Sequence, residues 1–533
     1  MPNNADLIVA CLQAAGVTEG FGIPSGNVLP LMEAMRQAGM LFVLTAHEGS
    51  AGFAADVTGR LTGRPGLCIA THGPGATNLT TGVGCAWLDR SPLIAITCNI
   101  PRAQLGRRIQ MHIDHHALFR PITKATLPLL PGSIAATMQE AIALALSEPQ
   151  GPVHLDLSED VALAACEERP LAPRAATPLP APSPESLAAA KRLIAGAKRP
   201  VAVIGTSAMR MRDPDLLRRF LEAWNIPFAT TAMAKGLVDD DHPLGLGCME
   251  RARRQIQRGF LQKSDLVIGL GYDTIEVEYE AWIGRAPLLH IGIEAADTDG
   301  SVTLRGELVG DLDAALQHLI DGARPSSWDK TAIAAQRDGF QTALRPRTNA
   351  FSPHQAIDVA RAVLPRDGIL AFDVGAHTHQ IASQWPAHFA RSFLLTNGWS
   401  SMGFGLPAAI AAKLACPERP VVAIIGDGCF QMSCGEVVVA RRLGLALPII
   451  VLDDRWLALM KVKQERRSYA LWGTELDTDL LPPPPPHYFG VPTRLAENAD
   501  ALAAALAEAL KAQGPTIIET MVDPSHYSET VYD

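Results

Sequence analysis

Short runs of β-branched and apolar residues alternate with longer Ala- and Leu-rich stretches along the whole of this 533-residue chain. Such alternation is typical of parallel α/β layers, in which helices cover both faces of a sheet and the strands are apolar throughout. The pattern occurs three times. At roughly 100–200 residues per domain, the length also predicts about three domains. The sequence therefore predicts an α/β protein built from three layered domains.

Proline marks the first domain boundary. Residues 167–186 carry six prolines, which disfavour a helix and predict an extended linker. A run of five more prolines, Pro482 to Pro486, predicts a stiff polyproline II segment, either a rim over the active-site mouth or a variable surface loop. The predicted order is an N-terminal domain over residues 1–166, the linker over 167–186, a central domain over 187–330 and a C-terminal domain over 350–533.

The composition excludes several classes of protein. The net charge is −9, and Lys and Arg form no stripe that would indicate nucleic-acid binding. The nine cysteines include no CxxC pair, so we expect reduced packing residues in a cytoplasmic protein. The N-terminal residues lack the pattern of a secretory signal. Apolar runs stay under about ten residues, half of what a membrane-spanning helix needs, so no membrane partner is expected.

One strand ends in a pattern suited to phosphate. The apolar run Val421–Ile425 is followed directly by Gly426, Asp427 and Gly428. Glycines allow the backbone to approach an anion closely, and a helix that starts at the end of a parallel strand directs N–H groups towards it. The aspartate can bind a hard divalent cation that bridges phosphate oxygens. Taken alone, however, Gly-Asp-Gly is also a common turn.

A second aspartate strengthens the phosphate interpretation. Asp454 lies 27 residues after Asp427 and just beyond the predicted strand Pro448–Leu452. One strand–helix–strand unit of this length brings the two carboxylates to adjacent strand ends, where they can share one Mg²⁺ with the backbone carbonyl of Trp456. The alternative is that Asp453 and Asp454 form a plain turn.

Gly-Asp-Gly followed at this interval by paired acidic residues resembles the motif of thiamine-diphosphate enzymes. Several further segments are similar to the acetolactate synthases of that family: His47-Glu48, Thr71–Asn78, Pro121–Lys124, Gly151–Asp156 and Met402–Pro407. The resemblance implies two thiamine-diphosphate-binding parallel-sheet domains, one for the pyrimidine and one for the diphosphate, flanking a Rossmann-like central domain. It also implies a homodimer at least, and usually a homotetramer, since one subunit supplies the glutamate and its neighbour the diphosphate site.

The resemblance assigns roles to individual residues. Glu48 matches the glutamate that binds the pyrimidine and activates the cofactor, and Met402 matches the residue that holds the cofactor bent. Gln110 and His112 are further catalytic candidates, and Asn27, His72 and Gln110 are expected to face the substrate. The metal ligands are expected to be Asp427, Asp454 and Trp456. The cofactor-binding residues are expected to be Glu48, Thr71, Asn78, Ala376, His377, Ser400, Met402, Gly426, Asp427, Gly428, Cys429 and Asp454.

Three reactions stay open at this stage. The segment Gly271–Trp282 and the aspartate at position 454 resemble the catabolic, FAD-free acetolactate synthases, which implies a carboligase acting on 2-oxo acids. Gln110, eleven residues before Pro121, matches the spacing in benzaldehyde lyase instead, which implies an acyloin lyase. A 2-oxo acid decarboxylase on the same scaffold is the third reaction, and the expected partners are small-molecule 2-oxo acids or aldehydes. The central domain carries Gly269 and Gly271 without the third glycine of a dinucleotide fingerprint, so we expect no bound FAD.

Overall fold

Each third of the chain forms its own β-sheet in a computed structural model that describes residues 2–477 and 484–531. All the long strands run parallel, and helices pack on both faces of each sheet. The three sheets confirm the expected α/β architecture. Of the Pro482–Pro486 run, Pro482 and Pro483 lie outside the described residues.

The N-terminal domain is a six-stranded parallel sheet. Its strands are β1 (Glu19–Gly22), β2 (Leu41–Leu44), β3 (Gly66–Thr71), β4 (Leu93–Asn99), β5 (Ala125–Pro128) and β6 (Pro152–Ser158). Its helices are α1 (Asn4–Ala14), α2 (Leu29–Gln37), α3 (Glu48–Thr62), α4 (Pro74–Leu88), α5 (His115–Phe119), α6 (Ile134–Leu146) and α7 (Glu159–Leu163). The strand order is β2-β1-β3-β4-β6-β5. Every residue of β4 and β6 is buried, as expected for central strands covered on both faces.

The central domain is a second six-stranded sheet. Residues 167–183 form no helix or strand, and α8 (Pro184–Gly196) begins inside the stretch that was expected to be linker because Ser183 caps its first turn. The strands are β7 (Pro200–Ile204), β8 (Phe228–Thr230), β9 (Gly245–Cys248), β10 (Leu266–Leu270), β11 (Leu288–Gly292) and β12 (Leu304–Val309). The other helices are α9 (Asp215–Trp224), α10 (Arg254–Leu261) and α11 (Leu312–Ile320), and α12 (Lys330–Ala343) leads to the last domain. The strand order is β12-β11-β10-β7-β8-β9.

The C-terminal domain is a seven-stranded sheet. Its strands are β13 (Ile369–Phe372), β14 (Phe393–Leu394), β15 (Val421–Gly426), β16 (Pro448–Asp453), β17 (His487–Tyr488), β18 (Val491–Ala496) and β19 (Thr516–Met521). Its helices are α13 (Pro353–Val363), α14 (Ala376–Gln384), α15 (Gly405–Ala415), α16 (Asp427–Ser433), α17 (Val437–Arg442), α18 (Ala458–Arg466), α19 (Ala499–Ala509) and α20 (Tyr527–Thr530). The order is β14-β13-β15-β16-β19-β18-β17, with only the β17–β18 pair antiparallel.

Three details of the N- and C-terminal domains determine where a site can form. The strands β13, β15 and β16 are neighbours, so their carboxyl ends meet at one edge of the sheet. A helix begins at Asp427 itself, because Gly426 ends the strand and the chain turns at once into α16. The helices α3 and α15 pack between the N- and C-terminal domains, and a shared apolar core joins the two sheets.

Among the described residues, no helix combines the length and the apolar character that a membrane crossing requires.

Candidate active site

A cleft opens where β13, β15 and β16 end. Its walls are the three segments that follow these strands, together with Met402 from the turn before α15. The empty space in the cleft, which includes the part that is open to solvent, measures about 550 Å³. The lining residues are Val374–His377, Met402, Gly426–Cys429, Asp454 and Trp456–Met460.

Asp427 and Asp454 face the same end of this cleft. Both oxygens of Asp427 accept backbone hydrogen bonds at 2.7 Å, one from Gly428 and one from Arg455. Asp454 accepts one from the backbone of Trp456 at 2.9 Å. Burial raises the pKa of both carboxyl groups above its ordinary value, and the charge of Asp454 raises the pKa of Asp427 further. A divalent cation between the two groups would remove this repulsion.

The backbone of Trp456 leaves its carbonyl oxygen for a ligand. Trp456 forms an isolated antiparallel bridge with Glu475. The hydrogen bonds of this bridge are made by the neighbouring residues: the N–H of Leu476 donates to the carbonyl of Arg455, and the N–H of Leu457 donates to the carbonyl of Thr474. Trp456 therefore sits at the position of the bridge that uses neither its own N–H nor its own carbonyl. Its N–H binds Asp454, and within the described residues no hydrogen bond engages its carbonyl oxygen, which could therefore accept a ligand beside the two aspartates.

His377 supplies a buried nitrogen, Nε2, that is unpaired within the described part of the chain. It lies in the first turn of α14, and its Nε2 has no hydrogen-bond partner among the described residues. Burial lowers the pKa of this histidine to about 4, so it is neutral. Its ring lies so close to Gly375 and Gly426 that a Cβ there would come within about 3.0 Å of it. Buried polar atoms are almost always paired, so this nitrogen and the helix N-terminus beside it fit a bound anion.

Asp373 is a site residue that was not predicted from the sequence. It is fully buried, and its two oxygens accept hydrogen bonds from the backbone of Gly403 and Gly405, each at 2.9 Å. These bonds hold the turn that carries Met402 over the cleft, close to Gly428. Ser400 adopts a left-handed conformation, with φ of 50°, at the start of the same turn. The signal in the sequence was an aspartate directly after an apolar strand.

Cys429 and Ala376 complete the inner wall. The Cys429 thiol lies 3.1 Å from the carbonyl oxygen of Val374, which joins the segments after β13 and β15. Ala376 is buried at the start of α14. The structure thus brings Ala376, His377, Met402, Asp427 and Asp454 to one cleft, together with the glycines on either side of Asp427. Ser400 and Glu48 do not line it.

Glu48 forms a second group of polar residues in the N-terminal domain. It begins α3 and is buried, and the Asn78 amide donates to its Oε2 at 3.0 Å. In the described part of the chain, no hydrogen bond engages Oε1. The preceding backbone is anchored across domains, because the N–H groups of Ala46 and His47 both donate to the buried carboxylate of Glu436, at 3.0 and 3.1 Å. Sequence reasoning missed Glu436, for which there was no local signal.

Of the three residues expected to face the substrate, Asn27 and His72 lie close together and Gln110 does not contact them. The Asn27 amide lies 2.8 Å from Nδ1 of His72, and Thr71 donates to the Asn27 carbonyl at 2.8 Å. Thr71, which was expected to bind the cofactor, therefore bonds to one member of this pair of side chains. Burial lowers the pKa of His72, and nearby His112 lowers it further. Gln110 is exposed and makes no hydrogen bond to these groups in the part of the chain that the structure describes.

Tyr527 was not expected near the cleft. It lies in the C-terminal helix α20, is buried, and its hydroxyl has no partner among the described residues. Burial and the nearby charges of Asp454 and Asp427 raise the pKa of this tyrosine. A hydroxyl from the last helix therefore adds a polar group behind the two carboxylates, which no local pattern could reveal.

Parallel α/β domains with paired carboxylates at adjacent strand ends define a protein that is built to hold an anionic cofactor. Family models of the thiamine pyrophosphate enzymes match all three domains. The matches are the N-terminal TPP binding domain over residues 2–118, the central domain over 187–319 and the C-terminal TPP binding domain over 373–520. The chain belongs to the thiamine pyrophosphate enzyme family, which confirms the resemblance seen in the sequence.

Several relatives are similar to the chain over nearly its whole length. It is 30% identical to a probable acetolactate synthase large subunit of Methanocaldococcus jannaschii, over 98% of this chain and 92% of the relative. It is 33% identical to the acetolactate synthase isozyme 1 large subunit of Escherichia coli, over 86% and 83% of the two chains. It is also 28% identical to an acetolactate synthase of Bacillus subtilis, over 99% and 94%. The roles of individual residues stay predictions at this level of identity.

Proposed function

We propose that this chain is a carboligase or lyase that depends on thiamine diphosphate and Mg²⁺ and acts on 2-oxo acids. The observation that carries the proposal is the pair of buried carboxylates, Asp427 and Asp454, at adjacent strand ends in one cleft. The similarity to acetolactate synthases supports the choice of 2-oxo acids. Membership of the family fixes the cofactor class, whereas the metal and the substrates belong to this proposal.

In this proposal the cleft supplies ligands for the metal ion and hydrogen-bond donors for the diphosphate. Asp427, Asp454 and the Trp456 carbonyl supply three oxygen ligands of the kind that Mg²⁺ prefers. His377 and the first turn of α14 supply N–H groups for the diphosphate. When bound, thiamine diphosphate supplies a carbon nucleophile for the substrate carbonyl and stabilises the negative charge left by the loss of carbon dioxide. Met402, fixed through Asp373, provides an apolar support next to these groups.

Glu48 binds and activates the pyrimidine end in this proposal. Asn78 holds one of its oxygens, so the other oxygen is directed to a ligand, and burial keeps water from competing for it. Glu48 does not line the cleft of its own chain. We therefore infer that Glu48 completes the cleft of a second copy, which makes a homodimer the smallest active unit, with a homotetramer as the expected assembly.

The central domain is proposed to work without FAD. A Cβ at Gly269 would lie 2.0 Å from the hydroxyl of Tyr279, which itself contacts Nδ1 of His290 at 2.9 Å. Tyr279 stacks on Tyr272, and Trp282 donates to the Tyr272 hydroxyl. These buried side chains fill the ends of β10 and β11, where a parallel sheet would otherwise bind a dinucleotide. The purified protein should show no visible flavin absorption, and a stoichiometric yellow cofactor would refute this proposal.

A panel of substrates, supplied with thiamine diphosphate and Mg²⁺, tests the function. The panel contains pyruvate alone, pyruvate with an aldehyde, and an aromatic acyloin, and products are identified by mass. Two pyruvates giving acetolactate and carbon dioxide would establish a synthase. Release of acetaldehyde would establish a decarboxylase. No turnover of any of these by cofactor-loaded protein would overturn the proposed chemistry.

The second candidate is an acyloin lyase similar to benzaldehyde lyase. It is favoured by the spacing of Gln110, eleven residues before Pro121, which matches benzaldehyde lyase. Cleavage of the aromatic acyloin into two aldehydes, without consumption of pyruvate, would favour this candidate over the carboligase.

A further inference from the structure

Residues 395–399, which we call the docking segment, follow β14 and lead to the turn before α15. The start of this segment is bonded to two helices of the N-terminal domain. The carbonyl of Leu395 accepts from Nη1 of Arg60, on α3, at 2.6 Å. The Thr396 hydroxyl accepts from the thiol of Cys85, on α4, at 3.1 Å. The path of the C-terminal domain towards its cleft is thus fixed from outside that domain.

Asp89 holds the middle of the docking segment. It lies at the C-terminal end of α4, and its side chain is buried. The N–H groups of Asn397 and Gly398 both donate to its carboxylate, at 3.2 and 2.8 Å. Nη2 of Arg60 donates to the same carboxylate at 2.9 Å, which fixes the orientation of the Asp89 side chain. One carboxylate of the N-terminal domain therefore orients two successive peptide groups of the C-terminal domain.

Trp399 holds the end of the docking segment against the same helix. Its indole N–H donates to the Thr81 hydroxyl at 3.0 Å. Its ring packs on Gly84, where a Cβ would lie only 2.6 Å from the nearest ring atom. The close contact between the ring and α4 therefore requires glycine at position 84. The Trp399 side chain is nevertheless partly exposed, at 37%, so the ring can be displaced without opening the core.

The helix that holds the docking segment also supports Glu48. Asn78, which donates to Glu48, precedes Thr81 and Gly84 on α4 at intervals of three residues. This spacing places the three residues along one face of the helix. One face of α4 thus contacts both the Glu48 side chain and the Trp399 side chain. Because Glu48 is inferred to complete the cleft of a second copy, α4 would contact residues of two clefts in the proposed dimer.

We propose that Asp89 and Trp399 are positioning residues for the cofactor. By docking residues 395–399 on α4, they fix where the next residues, up to Met402, stand over the cleft. Asp373 holds the other end of this turn through the backbone of the residues after Met402. A turn that is ordered before the cofactor arrives costs no further ordering on binding, so docking raises the affinity for thiamine diphosphate. The link to the cofactor rests on the proposed function, whereas the docking itself does not.

Gly84→Ala tests the ring contact without removing a polar group. The added methyl group displaces the indole, while alanine suits a helix better than glycine does, so the fold is retained. Hydrogen–deuterium exchange of the ligand-free full chain follows a peptide that covers the docking segment, and calorimetric titration with thiamine diphosphate at saturating Mg²⁺ measures affinity. Exchange of this peptide should rise about fivefold, as one hydrogen bond is weakened, and the Kd should rise about tenfold.

A second glycine provides the matched control. Gly339→Ala makes the same change within helix α12, where a Cβ would meet nothing within 4 Å. It should keep the wild-type exchange of the docking segment and the wild-type affinity for thiamine diphosphate.

Two threonines on α4 separate the indole hydrogen bond from the helix itself. Thr81→Val removes the acceptor for the Trp399 N–H and keeps the shape of the side chain, so it should raise exchange and Kd about threefold each. The hydroxyl of the neighbouring Thr80 bonds to the carbonyl of Thr77 and not to the docking segment. Thr80→Val should therefore leave both measurements unchanged.

The role of Asp89 is tested by a pair of variants. Asp89→Ala leaves two amides without their acceptor, so it should raise exchange of the docking segment and weaken thiamine diphosphate binding by at least about tenfold. Asp89→Asn retains an acceptor oxygen for these amides and should restore most of the lost affinity. If Asp89→Ala does not fold, Gly84→Ala and Thr81→Val test the docking from its other end.

Three results would overturn the proposal: unchanged exchange in Gly84→Ala, faster exchange in that variant with an unchanged affinity, or equal losses of affinity in Asp89→Asn and Asp89→Ala. Neither measurement requires turnover. A chain that binds thiamine diphosphate but is inactive on 2-oxo acids would therefore contradict the proposed function, and these variants would still decide whether the docking segment positions the cofactor.

Discussion

Replacing Asp427 by asparagine separates cofactor binding from folding. Asp427 accepts two backbone hydrogen bonds at 2.7 Å beside the second buried carboxylate, Asp454. Asparagine keeps one acceptor oxygen and removes the charge. Loss of one hydrogen bond to a charged group costs about 1.5–3 kcal/mol, while removal of one of two repelling buried carboxylates offsets part of that cost. The ligand-free free energy of unfolding should therefore change by less than about 2 kcal/mol.

The effect on the loaded protein should be much larger. Thiamine diphosphate and Mg²⁺ at about 100 times their dissociation constant stabilise the wild type by about 2.7 kcal/mol. If Asp427→Asn weakens binding about 100-fold, the same concentrations add only about 0.4 kcal/mol. Denaturant unfolding with and without both ligands measures the difference directly. The variant should lose most of the ligand-induced increase while its ligand-free stability stays close to that of the wild type.

A neighbouring aspartate provides the matched control. Asp453 is also buried and accepts a hydrogen bond from the backbone of Arg455, at 3.2 Å, yet it does not line the cleft. Asp453→Asn should keep the full ligand-induced increase in stability. An Asp427→Asn protein that is stabilised by the two ligands as strongly as the wild type would refute the assignment of the metal site.

Substitutions at three further residues test the rest of the molecule. Glu48→Gln should retain the cofactor and lose at least about 100-fold in kcat, because the amide cannot accept a proton, and an undiminished kcat would exclude the role given to Glu48. Glu436→Ala should lower kcat about tenfold at unchanged thiamine diphosphate affinity, as it frees the backbone before Glu48, and Glu436→Gln should restore much of it. Burial raises the pKa of Glu276 to about 8 from 4.5, so the folded chain keeps a proton that the unfolded chain releases. The free energy of unfolding should then fall between pH 5 and pH 8, and Glu276→Gln should reduce this fall by about 1–3 kcal/mol, as measured by denaturant unfolding.

The fold class was predictable from the sequence because its signal is local. Apolar strands that end in glycine or aspartate, such as β15 and β16, predict a parallel sheet covered on both faces, and a few consecutive residues are enough for this prediction. The starts of helices were less predictable. Helix α16 begins at Asp427, and α8 begins at Pro184 inside the proline-rich stretch, because Ser183 caps it and proline suits the first turn.

The strand-end glycines and aspartates could be proposed from the sequence alone as ligands for a phosphate and a cation, since they act there through their own backbone conformation and charge. How those groups are supported could be seen only in the folded chain. Asp373 fixes the turn of Met402, and Glu436 anchors the residues before Glu48 from 389 or more positions away. Contacts of this kind depend on which strands become neighbours, and that choice is made by the packing of whole sheets.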